Sequence, residues 1–208
     1  MNIQLNNIKP TYMSETELAV SDIYLQEHVV FKKGEKYLIK ANSGHGKSSI
    51  LNFMYGSNLN YSGSISYSEA YESIFNLRKT KLSYVFQDFK LFANLTVFEN
   101  IQLKNRLTNY KTEKEIDSLI TKVLLEHKRN SLVKNLSLGQ RQRVAIIRAL
   151  CQPFDFLLLD EPFSHLDATN INILITILNE ELTSRNASVI ITALEEVNYF
   201  NFNRIINL

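Results

Sequence analysis

The segment Ala41-Asn42-Ser43-Gly44-His45-Gly46-Lys47-Ser48-Ser49 constrains this chain more than any other. It follows an apolar stretch, Tyr37-Leu38-Ile39, and precedes Ile50-Leu51-Asn52-Phe53-Met54, which reads as a helix. A strand that turns through small residues into a helix starting Lys-Ser forms a phosphate cradle. Successive backbone N–H groups converge on a nucleoside triphosphate, the lysine neutralises its β and γ oxygens, and the serine hydroxyl holds magnesium. A flexible turn also tolerates Gly and Ser, but it does not require this order of elements. The first glycine expected of such a loop is Ala41. Alanine keeps its N–H and costs about 1 to 2 kcal/mol only where the backbone is left-handed. The sequence therefore predicts a tighter or shifted start to the loop, with the cradle kept.

A chain of 208 residues, 45% of them apolar, can bury a substantial core in one domain. Its formal net charge of +2 comes from scattered Lys and Arg, so no broad cationic field forms and nucleic acid is not expected as the main partner. The single cysteine, Cys151, excludes an internal disulfide, and its place on an apolar helix face predicts a buried, inert thiol. Met1-Asn2-Ile3-Gln4-Leu5 lacks the pattern of a leader, and no eighteen consecutive residues are apolar, so no membrane span is expected.

Alternation at Ile3 and Leu5, Ile23 and Leu25, and Val29 and Phe31, with a turn at Lys33-Gly34, predicts short antiparallel strands ahead of the loop. Further strands are expected at Ser64-Ile65-Ser66-Tyr67 and at 82–86. From about Asp88 to Asn135 the texture is helical. Thr112 and Glu115 form a capping box there, and Ile116, Leu119, Ile120, Val123 and Leu124 mark one face, expected to pack on its own domain. A helix is predicted at about 138–151, a buried strand at Phe156-Leu157-Leu158-Leu159, and a helix carrying Ile171, Leu174, Ile175, Leu178 and Leu182 on one side. Strands at 188–191 and 204–208 finish the chain, with no regulatory domain expected beyond. Short apolar strands between amphipathic helices imply a parallel sheet covered on both faces.

The apolar strand ends in Asp160-Glu161, at the sheet edge where open α/β folds bind ligands. Asp160 can hold magnesium through its water shell, and Glu161 can orient and deprotonate an attacking water. Alone, such a pair is more often a solvated helix start. Ser137, followed by Gln140, is a capping-box signature and by itself describes a well-started helix. A capped helix start also aims N–H groups and a positive dipole end at any anion before it. The chain thus holds a second candidate phosphate site.

Together these residues resemble the ATP-binding-cassette family along essentially the whole chain. The loop, the glutamine in Phe86-Gln87-Asp88, Leu136-Ser137-Leu138-Gly139-Gln140, the acidic pair and Ser164-His165-Leu166-Asp167 occur in the family's order and spacing. Tyr84-Val85-Phe86-Gln87-Asp88-Phe89 and Leu95-Thr96-Val97-Phe98-Glu99-Asn100 look like the bacterial branch serving lipoprotein-release, macrolide-export and cell-division permeases. The resemblance implies an α/β fold of P-loop NTPase type, with a mostly parallel sheet, an N-terminal antiparallel β subdomain and an inserted helical subdomain. Residues 1–87 and 136–208 would form the nucleotide-binding lobe and 88–135 the helical one. It further implies ATP and Mg2+ as ligands, with ATP sandwiched in a homo- or heterodimer between the loop of one subunit and Ser137, Gly139 and Gln140 of the other. Tyr12 would stack on adenine, Gln87 would sense magnesium and the attacking water, and Asp167 would couple the two sites. The helical stretch would dock on an integral membrane permease, with Phe89, Leu91 and Phe92 either contacting it or packing within the lobe, placing the protein in the cytoplasm on the inner face of the membrane. Leu138 replaces the first signature glycine, a change that keeps the N–H. A side chain at Gly139 would block approach to the γ-phosphate.

The family also places a histidine after the next strand, reaching the γ-phosphate. Here the sequence is Val189-Ile190-Ile191-Thr192-Ala193, and the four histidines, His28, His45, His127 and His165, all lie upstream of Ala193. Loss of one such donor lowers turnover about 10²- to 10³-fold, so slow hydrolysis is expected unless His45 or His165 substitutes. The leading reading is a transporter's ATP-hydrolysing motor. The alternative is a nucleotide-switched regulatory dimer, or a member acting outside transport.

Overall fold

The computed structural model describes residues 1–42, 44–195 and 197–208. Along the chain come β1 (Ile3–Pro10), α1 (Glu15–Leu18), β2 (His28–Phe31), β3 (Lys36–Lys40), α2 (Lys47–Tyr55), β4 (Tyr61–Tyr67), α3 (Ile74–Thr80) and β5 (Leu82–Val85). They are followed by α4 (Val97–Asn105), α5 (Glu113–Lys122), α6 (Leu138–Leu150), β6 (Phe156–Asp160), α7 (Ala168–Arg185), β7 (Ser188–Ala193) and β8 (Arg204–Asn207). Five strands form a parallel sheet in the order β5-β6-β7-β3-β8, and three form a separate antiparallel sheet, β2-β1-β4.

The continuous apolar run of β6 is explained by burial on both faces, since all five of its residues are buried. Alternate residues feed two cores. Leu38, Leu157, Leu159, Val189 and Ile191 pack with α4, α5, α6 and α7, whereas Tyr37, Ile39, Phe156, Leu158 and Ile190 pack with α2 and the antiparallel sheet. α4 and α5 bury Val97, Ile101, Ile116, Leu119 and Ile120 in the first of these cores. The helical stretch therefore shares the core of the sheet.

The Thr112–Glu115 capping box forms, as does a second one at Thr96–Glu99. Leu124 departs from the expected stripe: α5 has ended, φ is +59°, and the side chain is 50% exposed. Ile23 and Leu25 do not form a strand either. Ser21 Oγ accepts from the N–H groups of Ile23 (3.2 Å) and Tyr24 (3.1 Å), folding the segment into a turn that buries Ile23 and Tyr24. Cys151 is buried, and burial pushes its thiol up to about 12.

The segment after α4 is tied to the end of α7. Lys111 Nζ meets Glu181 Oε1 at 2.8 Å, and Arg185 pairs with the same carboxylate. The Arg185 guanidinium lies 4.6 Å from the Tyr110 ring centre and 4.3 Å from that of Phe154, and donates to Leu150 O and Gln152 O at 2.8 Å each. At the other end of the sheet, register brings Lys40 beside Ala193 and Asn207, and Asp160 beside Thr192. That carboxyl edge positions the candidate site.

Candidate nucleotide site

A cavity of about 270 Å³ is lined by Gly44, Gly46, Lys47, Ser48 and Ser49 of the loop, with Tyr12, Gln87 and Glu161 around it. Gly46 makes the turn into α2 at φ +87°, and a Cβ there would come within 2.6 Å of Met13 Cε. Ala41 is absent from the left-handed residues described, so the alanine carries no backbone penalty. Its N–H extends the β3–β7 pairing by donating to Ala193 O (3.3 Å), which makes it an anchor of the loop. Ala41 and Asn42 line a neighbouring hollow instead, with their carbonyls turned to Lys47 Nζ at 2.8 and 3.0 Å. Glu161 Oε1 lies 3.3 Å from the same ammonium, on a lysine side chain that is 5% exposed. A buried cation persists only with such compensation. His45 sits on the loop without lining the cavity. The expectation for Ser43 falls outside the described residues.

Asp160 is buried at the base of a second hollow, which shares Ser48 and Gln87 with the first. Thr192 Oγ1 donates to its Oδ1 (2.7 Å), and Tyr84 OH reaches Oδ2 at 3.4 Å. Burial raises its pKa, opposed by hydrogen bonds from Ser48, Thr192 and Tyr84. A serine hydroxyl, one carboxylate and the Gln87 amide form a sparse, all-oxygen donor set, and no cluster of three or more His, Cys, Asp or Glu occurs among the described residues. Such a set suits magnesium, which keeps several waters and takes further ligands from phosphate rather than from a protein cage.

Glu161 has a left-handed backbone, φ +47°. Its N–H donates to Thr192 Oγ1 (3.0 Å), and its carbonyl accepts from Gln142 Nε2 (3.3 Å) and Ser164 Oγ (3.2 Å). Sequence reasoning missed Thr192, Gln142 and Tyr84. Their contacts depend on strand register and helix packing, and only the adjacency of Thr192 to Ala193 hinted at any of them.

Ser137 caps α6 through Gln140 N, and Gln140 Oε1 returns the contact to Ser137 N (3.0 Å). Gly139 has an additional requirement inside the chain: a Cβ would lie 2.8 Å from His165 O and 3.2 Å from Leu166 Cδ2. Asp167 caps α7 by accepting from Asn170 N (2.8 Å), a bond that holds its carboxyl below the usual range. None of Ser137, Gly139, Gln140 and Asp167 lines the loop cavity. Tyr12 is 54% exposed, with its hydroxyl on Ser49 Oγ at 2.5 Å.

Ala193 borders an apolar hollow of about 300 Å³, shared with Glu161, Phe163, Thr192 and Tyr199. His165 is engaged elsewhere, with Ser164 Oγ at 2.9 Å from its Nδ1 and its ring edge-on to Phe89. Of the three residues read as either docking contacts or lobe packing, Phe89 is buried in the core, Leu91 packs partly against it, and Phe92 is 58% exposed.

The sequence profile of the ABC transporter family matches residues 26–164. The chain is 34% identical over 171 residues to the lipoprotein-releasing system ATP-binding protein LolD of Buchnera aphidicola subsp. Schizaphis graminum, spanning 78% of this chain and 75% of that protein. To the sulfate/thiosulfate import ATP-binding protein CysA of Pectobacterium atrosepticum it is 34% identical over 175 residues, 81% of this chain but 51% of that one. It thus spans about half the length of the import relative. Among solved structures it is similar to the ATP-binding cassette MJ0796, a dimer in a post-hydrolysis state bound to ADP and Pi, with TM-score 0.80, 27% identity, and coverage of 99% of this chain and 94% of that one. The chain belongs to the ABC transporter family, as an ATP-binding cassette ATPase similar to the lipoprotein-release type.

Proposed function

We propose that this chain is the ATP-driven motor subunit of a membrane transporter and acts as a head-to-tail dimer. The N-terminal ends of α2 at Lys47 and of α6 at Ser137 are both helix starts of the kind that favour anions, and among the described residues Ser137 does not line the loop cavity. A second copy turned end for end sets the Ser137 cap of one against the loop of the other, and this separation of the two half-sites is the observation that most supports the dimer.

In that dimer Lys47 exchanges its present partners, the carbonyls of Ala41 and Asn42 and the carboxylate of Glu161, for the β and γ oxygens of ATP. Glu161 is then free to accept a proton from the attacking water, and Gln87 orients that water. Ser48 and Asp160, which line one hollow with Gln87, would hold magnesium, and the ion would supply positive charge to the phosphates. Tyr12 offers its exposed ring to the adenine. Ala193 provides no donor, so hydrolysis is slow.

Residues 1–87 and 136–208 act as the nucleotide lobe, and the helical stretch 88–135 docks on an integral membrane permease, with Phe92 as an exposed contact. No helix described is long and apolar enough to cross a membrane, which suits a subunit held at the cytoplasmic face by its permease. The deciding experiment is light scattering on Glu161→Gln with and without Mg-ATP. A nucleotide-dependent dimer that Lys47→Ala abolishes is expected, and a protein that stays monomeric at millimolar Mg-ATP refutes the reading.

A further inference from the structure

Among the described non-glycine residues lining the loop cavity, Glu161 alone has a left-handed backbone. L-residues keep that conformation where their surroundings over-determine it. Two buried side chains from different elements do so here, Thr192 of β7 and Gln142 of α6, both 0% exposed. The Thr192 hydroxyl has one proton, and its geometry assigns that proton: it donates to Asp160 Oδ1 at 2.7 Å while accepting the Glu161 N–H at 3.0 Å. One side chain therefore fixes the carboxylate of one acidic residue and the main chain of the next.

We propose that Thr192 is a positioning residue for this acidic pair, aiming Glu161 through its peptide and Asp160 through its carboxylate. This rests on the reading of Glu161 as the base. The end of β7 thereby keeps its positioning group although Ala193, the next residue, offers no phosphate-facing donor. Gln142 completes the clamp from the carbonyl side, with Nε2 3.3 Å from Glu161 O.

The test compares Thr192→Val, which removes the hydroxyl at nearly constant shape, with Thr192→Ser, which keeps it. Thr192→Ala takes the place of Thr192→Val should that variant fail to melt cooperatively. In nucleotide-free protein, amide hydrogen exchange at Glu161 is expected to accelerate about tenfold or more in Thr192→Val and to stay near wild type in Thr192→Ser. In phosphate release, kcat is expected to fall about tenfold or more in Thr192→Val, with KM for Mg-ATP changed less than about twofold. Thr192→Ser should recover kcat to within about threefold. Unchanged exchange at Glu161 in Thr192→Val, or a serine variant as slow as the valine one, would overturn the proposal. Absence of Mg-ATP turnover in wild-type protein counts against the motor reading instead, and the exchange comparison still decides the role of the hydroxyl.

Discussion

Lys47 carries a buried charge that, among the described residues, faces two carbonyls and the Glu161 carboxylate. If these give way to phosphate, Lys47→Ala should weaken binding of a fluorescent ATP analogue about a hundredfold, the equivalent of two charge-assisted contacts. Ala193→His supplies a donor beside a hollow of about 300 Å³, room enough for an imidazole. It should raise kcat for phosphate release about tenfold or more, and no gain would show that the alanine is compensated. The loop and the acidic pair were legible in the sequence because each is a short contiguous pattern, whereas the absence of a histidine at Ala193 stood out only through the family resemblance. Thr192 was not, since what it touches is decided by the pairing of Asp160 with Thr192 across β6 and β7. Ala41 was legible as an exception, but its service to Ala193 O also awaited the sheet.

Among the helices, α5 and α6 begin with capping boxes of the same kind, Thr112–Glu115 and Ser137–Gln140. Replacing either cap with alanine should cost about 1 kcal/mol in thermal or denaturant unfolding. Only Ser137→Ala should also weaken Mg-ATP-dependent association, an outcome that would separate the binding role proposed for that cap from its structural one. α4 carries a different liability at Lys104. Burial, with Arg148 of α6 and Arg78 of α3 nearby, lowers its amine to about 8 from an ordinary 10.5. Between those values the unfolded chain holds a proton that the folded one lacks, so this group's penalty is full below pH 8 and disappears as pH rises towards 10.5. Lys104→Met should therefore be more stable than wild type by about 1 kcal/mol at neutral pH. Melting curves should show that advantage shrinking across the same alkaline window. Periodicity revealed α5, α6 and α7, but the short helices α1 and α3 went unforeseen. It overran at Leu124, where a left-handed residue ends the run, and it mistook the Ser21 turn for a strand.

At the scale of the molecule, apolar strands alternating with helices made a parallel sheet legible, but not its order. β3 lies between β7 and β8, the last strands of the chain, and that long-range arrangement sets Ala41 against Ala193. Nor could the sequence show that α4 and α5 lack a core separate from the sheet, because side chains at 97–123 are apolar in the same manner whichever surface they cover. The contacts of Tyr110 and Lys111 with Glu181 and Arg185 fasten this helical portion to α7. Anyone grafting such a portion from one cassette into another would be splitting a joint whose halves are seventy positions apart in sequence, Lys111 and Glu181. The donor segment must bring its own anchor at Lys111, or the recipient helix must be rewritten to receive it.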